Sequence, residues 1–186
     1  MKPLRIAPLA AALAAIWALP AEADDHGAKA EAALATGEFR TATVDVAGTA
    51  DLSEGPEGVV IRVNVEGLTP GWHGIHFHAV GECSDEGFLK SGGHAHHESE
   101  KPPHGLLNPE GPDDGDLPNI YANENGVAQA ELYSPFVTLT GAEGRAMLLD
   151  EDGAAIVIHE GPDDHMSQPI GGAGARVACA VIRKAD

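Results

Sequence analysis

The chain has 186 residues and a net charge of −18. That length fits one ordinary domain with a full core. The acidity argues against nucleic acid and anionic membrane surfaces as partners, since both would be repelled, and it suits a soluble, self-repelling molecule.

The N-terminus reads MKPLRIAPLAAALAAIWALPAEA. Lys2 and Arg5 make a positive start, Ile6 to Leu19 an apolar run, and Ala21-Glu22-Ala23 a small-x-small cleavage site. This is the pattern of a secretory signal peptide over residues 1–23. The run is short for a bilayer span, so no membrane attachment is expected after cleavage. Of 11 basic and 29 acidic residues, cleavage removes Lys2, Arg5 and Glu22 and leaves a net charge of −19. Residues 24–38 are polar and Ala-rich and read as a flexible leader, with one domain over 39–186. Export leaves the periplasm, or another exported location, as the expected compartment.

From Arg40 onward the texture is that of short strands: TATVDVA (41–47), GVVIRVNVE (58–66), WHGIHFHA (72–79), AQAELY (128–133), RAMLL (145–149), AAIVIH (154–159) and RVACAVI (176–182). In the second, Val59, Ile61, Val63 and Val65 share one parity, the period of a half-buried strand. Gly, Pro, Asn and Asp clusters separate the runs. The expectation is an all-β, Greek-key sandwich or barrel of about eight antiparallel strands. Two connections are too long for hairpins, Val80 to about Asn119 and Glu160 to Ala175. Long loops on a rigid β scaffold are where function usually sits.

The segment GWHGIHFHAVGEC (71–83) crowds His73, His76 and His78 together. In a strand, His76 and His78 share a face while Ile75 and Phe77 point into the core. The first long loop adds His94, His96, His97 and His104, then Asp113, Asp114 and Asp116. AAIVIH ends in His159, followed by EGPDD. Imidazole suits copper, zinc, iron or nickel, and added carboxylate suits zinc. The two cysteines, Cys83 and Cys179, read as one disulfide in an exported protein, with a pair of free thiols as the alternative.

The runs GLTPGWHGIHFHAVGEC, SGGH, HGLLNPEGPDDGDLPN, IVIHEGPDD and GGAGARVACAVI, taken in this order and spacing, resemble the copper,zinc superoxide dismutases of the bacterial exported type. The resemblance extends from about Thr41 to Arg183. It implies copper held by His76, His78, His94 and His159, with His94 bridging to zinc. It implies zinc held by His94, His104, Asp113 and Asp116, and Asp164 as the carboxylate linking a zinc histidine to a copper histidine. It also implies the Cys83–Cys179 disulfide, a structural role for His73, and Arg176 beside the copper channel. His94 and Arg176 would take part in catalysis. His26, His97 and His165 read as solvated or as incidental metal binders.

Two departures stand out. Asp113 occupies a position where the family has a third zinc histidine; a carboxylate oxygen is an acceptable donor there. His96 stands at the family's usual spacing before His104 and so rivals His94, which has the SGG turn in its favour. The implied activity is disproportionation of the superoxide anion, with copper and zinc as cofactors. The alternative is an exported copper- and zinc-binding protein without turnover, which would require neither Arg176 nor four copper histidines. Family members associate through different faces or stay monomeric, so a homodimer is open.

Overall fold

The computed structural model describes residues 34–97, 102–142 and 144–185. The expected signal peptide, His26 and the leader up to residue 33 lie outside the described residues. Among the described residues the strands are β1 (Ala35–Thr41), β2 (Gly48–Gly55), β3 (Gly58–Val65), β4 (Gly71–His73), β5 (Ile75–His78), β6 (Ile120–Ala122), β7 (Ala128–Ser134), β8 (Val137–Thr138), β9 (Ala146–Met147), β10 (Ala155–His159), β11 (Arg176–Val181) and β12 (Arg183–Lys184). Eight of them form one antiparallel sheet in the order β5-β10-β11-β1-β2-β3-β7, with β12 also paired to β1. β11 pairs with β1 across most of the chain, so distant strands become neighbours, as Greek-key connections require. The expected all-β class and antiparallel strands are what the chain adopts.

Each inward parity builds the core. Val59, Ile61, Val63 and Val65 of β3 are buried, as are Phe39, Leu52, Ile75, Phe77, Ile156 and Ile158. Burial of one such side chain contributes about 1.5–3 kcal/mol, so the alternation of these strands fixes their register against the core.

Three expectations need correction. Strand β1 begins at Ala35, inside the segment read as leader. TATVDVA is not a strand: only Thr41 belongs to β1. The rest is a turn in which Thr41 Oγ1 accepts from the backbone N–H of Thr43 and Val44, leaving Val44 and Val46 exposed. WHGIHFHA is two strands, broken at Gly74. The N–H of Gly74 donates to Gly161 O and its carbonyl accepts from His159 N–H, both at 2.8 Å. A Cβ there would stand 3.0 Å from the Ala173 Cβ and 3.3 Å from the Asp163 Cβ. Gly74 is thus the point where the second long loop presses on the histidine strand.

Candidate metal centre

Strand pairing gathers the histidines. β10 pairs with β5 so that Val157 lies opposite His76 and Ala155 opposite His78. Paired residues share a face, and His159 shares the face of Val157. A register shift between Ile158 and His159 re-aims that last side chain. His76, His78 and His159 therefore stand together on the side away from Ile75, Phe77, Ile156 and Ile158. The first long loop is stitched alongside β5: Ala95 N–H donates to Phe77 O, and Phe77 N–H to Gly115 O, each at 2.9 Å. Isolated bridges set His78 beside His94 and His76 beside Asp116.

The result is two adjoining groups with donor atoms mutually within 4.8 Å, His76–His78–His159 and His76–His94–His104, all buried. The His76 and His94 ring centres are 4.3 Å apart, so the groups meet at these two rings.

Each ring is fixed by one nitrogen and presents the other. His76 Nε2 donates to Asp163 Oδ2 at 2.9 Å, His78 Nδ1 to Gly92 O at 2.9 Å, and His159 Nδ1 to Gly174 O at 3.0 Å. The remaining atoms, His76 Nδ1, His78 Nε2, His159 Nε2 and His94 Nε2, are buried without a hydrogen bond. A buried polar atom left unpaired costs about 1–3 kcal/mol. Three of these histidines, His76, His78 and His159, form one group, and the His94 ring adjoins it 4.3 Å from His76 and 5.3 Å from His78; the set fits a metal ion with imidazole preference, and copper is such an ion. Burial pushes the His76 pKa down to about 3, and burial likewise lowers His78 and His159. All three stay neutral, the form that binds a metal.

The second group is rich in charge. His104 Nδ1 donates to Asp116 Oδ1 at 2.5 Å, and His94 Nδ1 lies 3.5 Å from both Asp113 Oδ2 and Asp116 Oδ1. Asp116 Oδ2 accepts from the N–H of Gly105 and of Asp113. Burial disfavours charge on His104, but Asp116 and Asp163 outweigh it and raise its pKa to about 9. Asp113 and Asp116 raise His94 in the same way against burial. Burial alone would raise Asp116, yet His104, His94 and the Gly105 N–H hold it well below the carboxylate range. Two imidazoles with two carboxylates, Asp113 beside His94 and Asp116 beside both His94 and His104, suit zinc.

Asp163 links the groups, and this overturns the reading of Asp164. Asp163 is buried, with Oδ2 on His76 Nε2 and Oδ1 accepting from His104 Nε2 at 3.1 Å. Asp164 is exposed and closes its own turn by accepting from Met166 N–H, Ser167 N–H and the Ser167 hydroxyl. Gly171, at φ 59°, makes room: a Cβ there would overlap the Asp163 carboxylate.

The other sequence candidates fall as follows. His96 is exposed and turns its Nδ1 to His94 O, whereas His94 is buried among the ring nitrogens. His73 is buried, with Nδ1 2.7 Å from His159 O and Nε2 2.7 Å from Thr69 O, which ties β4 to the end of β10. His97 is exposed, with its Nδ1 2.6 Å from Asp114 Oδ2. His165 is half-buried instead of solvated and packs against Asp163. Arg176 donates to Phe88 O at 2.7 Å, Ser91 Oγ at 3.0 Å and Gly92 O at 2.7 Å. It thus shares the Gly92 carbonyl with His78. Cys83 and Cys179 are joined by a disulfide. The sequence reading passed over Asn119, whose side chain pairs with the backbone N–H and carbonyl of Asp163; its signal was its place at the end of GDLPN.

The profile of the family described as copper/zinc superoxide dismutase (SODC) matches residues 46–182. A superoxide dismutase [Cu-Zn] of Caulobacter vibrioides is 55% identical over 137 residues, 74% of this chain and 78% of the relative. One from Aquifex aeolicus is 46% identical over 140 residues, covering 75% and 80%. Among solved structures, the Cu/Zn superoxide dismutase from Brucella abortus aligns with a TM-score of 0.61 at 32% identity, over 80% of this chain and 98% of that one. A SOD-like protein from Bacillus subtilis aligns with a TM-score of 0.71 at 31% identity, over 78% and 96%.

Proposed function

The chain belongs to the copper/zinc superoxide dismutase family, and from that premise we propose how its residues carry out the reaction. Its activity is the disproportionation of superoxide: two superoxide anions and two protons give O2 and H2O2, with copper and zinc as cofactors. The observation that supports the assignment of residues is four unpaired, buried ring nitrogens, His76 Nδ1, His78 Nε2, His94 Nε2 and His159 Nε2, on the grouped His76, His78 and His159 and the adjoining His94 ring. These atoms would hold the copper. His94 Nδ1, His104 Nδ1, Asp113 and Asp116 would hold the zinc. When bound, copper supplies the one-electron chemistry and zinc a fixed positive charge.

The chain's own residues do the rest. Strands β5 and β10 hold three imidazoles rigidly, so no rearrangement of the scaffold accompanies electron transfer. Gly92 O and Gly174 O fix the tautomers of His78 and His159, and Asp163 that of His76. His94, between the groups, would hold a proton at Nε2 only while that nitrogen is off the metal, and would deliver it to the leaving peroxide. Arg176, anchored by Phe88, Ser91 and Gly92, offers the anion a fixed positive charge.

We also read the protein as exported, with the periplasm as its compartment. The N-terminal signal pattern and a disulfide that suits an oxidising environment support this. Among the described residues no helix is long and apolar enough to cross a membrane. The experiment is to load the purified mature chain with copper and zinc, measure bound metal, and follow superoxide consumption. Fast consumption with one copper per chain is expected. Bound copper without turnover would sink the enzymatic reading in favour of a metal-binding protein.

A further inference from the structure

His165 has no place in the ligand set, yet its contacts converge on Asp163. The chain of reasoning starts at Asn119. Its Oδ1 accepts from Asp163 N–H at 2.9 Å and its Nδ2 donates to Asp163 O at 2.8 Å. Reversing the amide would set donor against donor, so its orientation is fixed by the backbone it meets. Nδ2 also lies 3.2 Å from His165 Nε2, which must therefore accept. A neutral imidazole that accepts at Nε2 carries its proton at Nδ1. That Nδ1 is buried, makes no hydrogen bond, and faces Asp163 Oδ2 at 3.3 Å.

The backbone of His165 acts in the same direction. Its N–H donates to Asp163 Oδ1 at 2.6 Å, and its carbonyl accepts from Leu107 N–H at 3.1 Å, which ties it to the segment after His104. To make these contacts His165 sits at φ 60°. Residues with a Cβ rarely adopt that left-handed conformation, though histidine tolerates it better than most.

We propose that His165 is a positioning residue for the metal centre. Its backbone N–H bonds the Asp163 carboxylate at Oδ1, and its Nδ1–H draws Oδ2 electrostatically from 3.3 Å, so that Oδ2 serves His76 and Oδ1 serves His104, and Asn119 fixes the His165 tautomer that makes this work. A carboxylate offers about four lone-pair directions. Two receive the imidazoles of the two metal groups, and His165 addresses both oxygens from the other side. Without the ring, the carboxylate is free to turn toward one imidazole and release the other, which loosens His104 and its zinc.

The inference rests on the reading of His76 and His104 as metal ligands. Its test uses the full mature chain in two measurements. Nitrogen-15 NMR of the metal-free protein should find His165 as the Nδ1–H tautomer; an Nε2–H tautomer overturns the proposal. Zinc loss to a chelator is then compared in wild type, His165→Gly and His165→Asn. Glycine suits φ 60° and keeps the backbone N–H, so it removes only the ring. Asparagine tolerates the same φ and returns an N–H donor near the Nδ1 position. His165→Gly should lose zinc about 10-fold faster, in the range for residues that orient ligands, and His165→Asn should recover most of that difference. A glycine variant that keeps zinc as wild type does would show that the ring orients nothing. Wild-type protein that holds no zinc at all would sink the ligand reading itself, and this proposal with it, whatever the tautomer.

Discussion

His104 and His94 decide how the zinc group competes with protons. In the metal-free chain the His104 pKa is raised to about 9 and His94 is raised as well, while His76, His78 and His159 are lowered. In the proposed assignment zinc requires the His104 Nδ1 bare, so below about pH 9 it must displace a proton. Its affinity should therefore rise about tenfold per pH unit up to that point from this group alone. Of the four imidazoles proposed for copper, His76, His78 and His159 stay neutral at working pH and impose no such displacement, and only His94 does. Copper affinity should accordingly depend on pH more shallowly, and equilibrium dialysis from pH 6 to 9 measures both. Asp113→Ala should lower zinc affinity at every pH while leaving the slope, since the His104 proton remains. Unchanged zinc affinity would make Asp113 an ordinary loop carboxylate. At this scale much was legible: histidines two apart on a strand, and acids and histidines after a tight glycine turn, announce themselves in the sequence. The choice between Asp163 and Asp164 was not. Two adjacent acids differ only in how the following turn closes, and here His165 N–H takes the first while Met166 and Ser167 N–H take the second.

Elements carry the same lesson. Strand β3 was readable because one face is buried and the parity of Val59, Ile61, Val63 and Val65 records it. TATVDVA carries similar β-branched residues, but Thr41 Oγ1 captures two backbone N–H groups and turns the chain. Segment 79–94, a loop with one short 3-10 turn at Leu89–Ser91, shows how such a connection is held in place. The disulfide from Cys83 anchors it to β11, Arg40 donates to Cys83 O, and Arg176 donates to Phe88, Ser91 and Gly92. Gly92 O in turn fixes His78, so the covalent link is coupled to an imidazole proposed for copper. The link closes a sequence separation of 96 residues, for which chain entropy gives about 4–5 kcal/mol. Replacing both cysteines by serine should lower the unfolding free energy of the metal-free protein by about that amount, read from denaturant titrations. Copper affinity should fall with it. A stability change below about 1 kcal/mol would mean that hydrogen bonds alone hold the segment.

At the scale of the whole molecule the substrate and the protein carry charge of the same sign. A net charge near −18 repels superoxide. At physiological salt the Debye length is about 8 Å, so distant carboxylates are largely screened while a charge at the site is not. From residue 160 to 176 the sequence has one Lys or Arg, Arg176. Its field reaches the copper imidazoles, where it helps to disfavour protonation of His78 and His159 after burial has done most. Attraction by this one charge makes the bimolecular rate fall as salt rises; repulsion by the acidic surface makes it climb. Arg176→Glu should cut the rate at low salt by about 10-fold or more and abolish or reverse its salt dependence. Because Arg176 also braces three groups of the 88–92 segment, the loss could come from a displaced His78 rather than from charge. Arg176→Lys separates the two: it keeps the charge and forfeits the planar fork that reaches Phe88, Ser91 and Gly92 together. Steering predicts that the lysine variant retains the falling salt dependence, even at a reduced rate, while the glutamate variant does not. Stopped-flow rates across ionic strength, on protein with its full copper content, decide it. Equal salt slopes in all three proteins would assign Arg176 to bracing alone and leave the anion to find its site without a guide.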